Sequence, residues 1–132
     1  MKNLKFYLIT ITAIFLIGCG SEDSRAEDKA MMVEKELEWG HVTKEEAECY
    51  VNMSSDFFTD DDEWATLVSM YDLSIVEQAM IGADGNPSEE EQKMMELSVK
   101  SLALIQEVDS ECDVDIMGIA MKRLADTGVF EF

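Results

Sequence analysis

Ser88-Glu89-Glu90-Glu91-Gln92-Lys93-Met94-Met95-Glu96-Leu97-Ser98-Val99-Lys100-Ser101-Leu102-Ala103-Leu104-Ile105-Gln106-Glu107-Val108-Asp109 is the stretch that decides the fold. Ser88 followed by Glu91 is a capping box: the hydroxyl takes one orphan amide, and the carboxylate reaches back to another. The apolar residues that follow recur at helical spacing. Met95, Val99 and Leu102 share one side, and Leu97, Leu104, Ile105 and Val108 another. So wide an apolar surface predicts a central helix running to Asp109. The Asp84-Gly85-Asn86-Pro87 turn before it holds the only proline of the chain.

Working outward toward the N-terminus, Trp64, Leu67, Val68 and Tyr71 stand at i, i+3, i+4 and i+7, one buried helical face. Thr59 is the expected cap of that helix, with Asp60, Asp61 and Asp62 in its first turn, where the helix dipole favours acids. Thr43-Lys44-Glu45-Glu46 is another capping box, opening a helix with Ala47, Tyr50, Val51, Phe57 and Phe58 inward. Ala26 to Trp39 reads as a helix ending at Gly40, with a narrow stripe of Ala30, Val33 and Leu37. Toward the C-terminus, Val76, Ala79, Met80 and Ala83 mark a short helix. Asp115 to Ala125 is a last one, with Ile116, Met117, Ala120, Met121 and Leu124 expected inward. Gly128 fits its stop, and Val129, Phe130 and Phe132 are expected to fold back onto the bundle. No stretch alternates with a period of two. The expected fold is therefore all-α, a small bundle of five or six helices with one disulfide.

The first residues carry an address. Lys2 and Lys5 precede the uncharged run Phe6 to Ile17, and twelve helical residues rise only about 18 Å, too short to span a bilayer. That pattern is a secretory signal. Its end, Leu16-Ile17-Gly18-Cys19, resembles the lipobox of bacterial lipoproteins. The resemblance implies cleavage before Cys19 and lipidation of Cys19 with diacylglycerol and an amide-linked acyl chain such as palmitate. Residues 1–18 are then the signal peptide, 19–25 a lipidated tether, and 26–132 an acidic helical domain. Two or more acyl chains anchor a protein stably. Gly20 rather than Asp after the cysteine implies, for such a lipoprotein, the outer membrane facing the periplasm.

Composition bounds the rest. Lys2 and Lys5 fall in the leader, so the chain from Cys19 keeps eight of ten basic residues against all 29 acidic ones, a balance of −21. Such charge disfavours nucleic acid and anionic head groups. It suits solubility, a cationic partner or divalent cations. Assigning Cys19 to lipid leaves Cys49 and Cys112, the natural disulfide of an oxidising compartment, closing a loop of about 64 residues. Two buried free thiols are the competing reading.

Signals for chemistry are sparse. His41 is the only histidine and sits in a linker with no partner that can be named. No nucleophile elbow or phosphate-binding glycine pattern occurs. Asp84-x-Asn86-x-Ser88 starts like a calcium-binding EF-hand loop, but Glu89 and Met95 stand where the loop needs Gly and the bidentate Glu. The nine methionines after Met1 lie mostly on the inward stripes and read as core filling rather than Cu(I) ligands. The expectation is a non-enzymatic envelope protein without cofactor. It would be anchored to the membrane through Cys19 and bind a protein partner, with no nucleic acid. Alternatives are an inhibitor or immunity-type lipoprotein that neutralises a cationic toxin or hydrolase, and a divalent-metal binder.

Overall fold

The computed structural model describes residues 24–129. The expected signal segment, the lipobox-like stretch ending at Cys19, Phe130 and Phe132 lie outside the described residues. Within them the chain is all-helical, with six helices: α1 Ala26–Trp39, α2 Lys44–Phe57, α3 Asp61–Met70, α4 Ile75–Ala79, α5 Glu89–Glu111 and α6 Ile116–Asp126. Among the described residues there is no strand, and no helix is long and apolar enough to cross a membrane. α5 is central, packing on α2, α3 and α6, while α1 packs on α2 and α4 on α6.

Local chemistry sets most helix starts. Both bonds of the capping box form at Thr43/Glu46 and at Ser88/Glu91, and again at Ser74/Glu77 where α4 begins. α3 is capped by Asp60, not Thr59: one Asp60 carboxylate oxygen accepts from the amides of Asp62 and Glu63. An ionised acceptor there adds its charge to the helix dipole, which a threonine hydroxyl lacks. α1 ends at Gly40, whose φ of +81° suits a residue without a Cβ.

The core gathers Met32, Val51, Phe58, Trp64, Leu67, Tyr71, Leu97, Leu104, Val108, Val114 and Ile119. Burying each of the larger side chains is worth about 1.5–3 kcal/mol. Cys49 on α2 and Cys112 at the end of α5 place their sulfurs at disulfide distance, 2.00 Å, beside this core.

Three helix faces differ from those that apolar counting predicts. On α1 the buried residues are Met32 and Glu36, while Leu37 and Ala30 face solvent. On α6 the buried residues are Ile119 and Arg123; Met117, Ala120 and Met121 are exposed. On α5 the Leu97–Leu104–Val108 side is buried, and the Met95–Val99–Leu102 side looks outward. Four methionines (Met80, Met95, Met117 and Met121) are exposed rather than core filling, and Val129 is exposed rather than folded back. The physical cause is a polar network that outweighs the apolar count on α1 and α6.

Candidate binding cleft

The network starts on α1. Arg25, Asp28, Met32, Glu36 and Trp39 lie along one side of that helix and its start, so three charged residues share the inward face. Arg25 donates to the carbonyls of Ser55 and Phe58 at 2.9 and 2.7 Å and stacks over the Trp64 ring. Asp28 accepts from the Trp64 indole N–H at 2.9 Å. Glu36 is the hub. One carboxylate oxygen accepts from the Tyr71 hydroxyl at 2.6 Å, and the other pairs with the Arg123 guanidinium at 2.7 Å. Arg123 also donates to the carbonyls of Glu36 and Gly40 and lies over Trp39, which stacks on Tyr71.

Burial is the main reason the Tyr71 phenol is pushed well above its usual range, with Tyr50 and Glu36 acting the same way. The Tyr50 phenol is raised as well, by burial first and then by Glu36. A charge in a low-dielectric pocket beside a carboxylate is costly, so both phenols hold their protons.

Above this floor lies a cavity of about 350 Å³ opening between α4, α5 and α6. Glu36, Tyr71 and Arg123 line its depth; Leu97, Ile116 and Ile119 form apolar walls; Ser98, Ser101, Gln78 and Ala120 lie higher. The Gln78 amide is tied to the carbonyls of Met70 and Leu73, and the two serines back-bond within α5. Among the described residues no buried side-chain polar atom lacks a partner. The polar groups are thus spent on one another, and the surface offered to a guest is mainly apolar.

The walls continue outward. On α5 the next residues round the helix are Leu102, Met95 and Val99, exposed at 57, 43 and 69 %. On α6, Ala120 and Leu124 lead to Met117 and Met121, exposed at 55 and 45 %. A cleft with an apolar inside and apolar shoulders is the usual character of a recognition surface. No protein-family model, curated protein or solved structure matches this chain. The cleft is therefore interpreted from its own chemistry.

The residues singled out in the sequence fall elsewhere. Cys19 lies outside the described residues. Cys49 and Cys112 sit together behind α5, away from the cleft lining. His41 does have a partner: its Nε2 pairs with the Asp126 carboxylate at the end of α6. In the EF-hand-like segment, an Asp84 oxygen accepts from the Asn86 amide and Ser88 caps α5. No three His, Cys, Asp or Glu side chains converge as a metal site among the described residues. Glu36 and Arg123 were not visible as a site in the sequence. The available signal was two charged residues interrupting the apolar spacing of their helices.

Proposed function

We propose that this chain is a lipid-anchored envelope protein whose acidic helical domain acts as a non-enzymatic protein-interaction module. The observation that carries the reading is the apolar cleft with its exposed apolar shoulders. A side chain such as Leu102 costs free energy in water that a partner would recover on covering it. The Leu16-Ile17-Gly18-Cys19 lipobox supports the anchor, placing the domain against an extracytoplasmic membrane face. The mutually bonded floor of Glu36, Arg123 and Tyr71 suits holding a guest better than reacting with one.

Two measurements test this. Mass spectrometry of the membrane fraction is expected to find a chain beginning at acylated Cys19; an intact Met1 or an unlipidated amine rules out the anchor. Cross-linking in intact membranes is expected to join the domain to a discrete protein. No adduct above that of an unrelated lipoprotein would remove the interaction reading.

A further inference from the structure

The cleft between α4, α5 and α6 has a chemistry specific enough to suggest what fills it. We infer that it receives an amphipathic, cationic helix from the protein partner, an inference that rests on the interaction reading above.

Shape is the first ground. The apolar shoulders run along two helices, from Met95 to Leu102 on α5 and from Met117 to Leu124 on α6. At 1.5 Å rise per residue, each offers roughly 10 Å of apolar edge, two turns of a guest helix. A helix laid in such a groove inserts residues spaced i, i+3, i+4 and i+7. The cavity beneath, about 350 Å³, accepts one or two large side chains from that stripe.

Charge is the second. The chain from Cys19 carries a balance of −21, and among the described residues the one base lining the cleft, Arg123, is already paired with Glu36. Glu91 accepts from the Gly82 amide between α4 and α5. Asp109 and Asp115 stand where α5 passes to α6. No lysine among the described residues lines the cleft. Lys93 and Lys100 line a separate cleft between α3 and α5, Lys100 paired with Glu63 at 2.7 Å. Lys122 lies on the far side of α6 from Ala120 and Leu124, about 160–200° round the helix. Arg123 is buried and paired with Glu36.

These two grounds choose among occupants. A second copy of the chain would set a balance of −21 against another −21, and like charge opposes that contact. An anionic lipid meets the same repulsion. A helix with one apolar face and basic flanks suits both the apolar walls and the negative balance of the chain.

The test uses the chain from residue 19 to Phe132 carrying Cys19→Ser, and a synthetic helical peptide of leucine and lysine with its leucines on one face. A control peptide has the same composition with the leucines scattered. The patterned peptide is expected to bind saturably, one to one, and the scattered one far more weakly. Leu102→Gln with Met121→Gln alters only exposed positions and no charge, so circular dichroism stays helical. It is expected to weaken the patterned peptide at least about tenfold, the loss from two apolar contacts. Equal binding of the two peptides would reduce the effect to charge alone and overturn the inference. So would unchanged affinity in the double variant, or a dimer that the double variant abolishes. Cross-links in membranes that map to another face, with the peptide unbound, would sink the cleft and leave the interaction module standing. Peptide bound in the cleft with no membrane adduct would do the reverse.

Discussion

Arg123 on α6 and Glu36 on α1, 87 residues apart, form an ion pair that is more than nine-tenths buried, with Nη1 and Oε2 2.7 Å apart. The pair ties α1 to α6 and turns both. It accounts for the outward methionines of α6, because the face that brings Arg123 inward sends Met117 and Met121 toward solvent.

Removing one partner should be far worse than removing both. Arg123→Met leaves the Glu36 carboxylate buried with the Tyr71 hydroxyl, and Glu36→Leu leaves the guanidinium with two carbonyls and the Trp39 ring but no counter-charge. Each single change is expected to cost about 3–5 kcal/mol in urea unfolding, while the double variant costs far less than their sum. Additive losses would mean that the pair is not coupled.

The tyrosines offer a pH readout. In a chain beginning at Cys19 the only tyrosines are Tyr50 and Tyr71, so tyrosinate absorbance reports this cluster alone. Both phenols are raised in the folded state, mainly by burial. Below the ordinary phenol value of about 10 both states keep the proton and the shift has no effect on stability. Above it the unfolded chain ionises first, so stability falls as pH rises from about 10 through the folded values. Native protein should show no tyrosinate step near the ordinary value, and urea-unfolded protein should show one. A native step there would place the phenols in water.

The Cys49–Cys112 link spans 63 residues and joins α2 to the end of α5. On the chain-entropy account, opening a loop of that size costs about 4 kcal/mol. Unfolding midpoints with and without reductant should differ accordingly, and Cys49→Ala with Cys112→Ala should match the reduced protein. Identical midpoints would show that the link adds nothing.

The caps separate two neighbouring residues. Asp60→Ala removes the acceptor of two amides and is expected to cost about 1 kcal/mol. Thr59→Ala is expected to change stability by less than about 0.5 kcal/mol. The opposite order would return the cap to Thr59. Thermal or urea unfolding of the two variants decides it.

Much of the fold was legible in the residues. Thr43/Glu46 and Ser88/Glu91 announce two helix starts because their partners lie within one turn. Trp64, Leu67 and Tyr71 announce a buried face because helical periodicity is local. Cys49 and Cys112 could be paired because assigning Cys19 to lipid leaves only those two. Ser74/Glu77 forms a third capping box, which the apolar spacing of Val76, Ala79 and Met80 does not reveal.

What local pattern could not reach was which way α1, α5 and α6 face. Counting apolar residues ranks Leu37 above Glu36 and Met121 above Arg123, since it prices a buried charge as if it had no partner. The partner arrives only in three dimensions, from α6 to α1, with the Tyr71 hydroxyl completing the set. Once the charges are matched, burying them no longer carries the full desolvation cost. The helix faces turn by about 100° per residue of displacement, and apolar side chains are left outside. Helix number, boundaries and caps follow from short-range chemistry along the chain. The facing of α1 and α6, and with it the Met117–Met121 shoulder, follows from an ion pair that only the assembled bundle brings together.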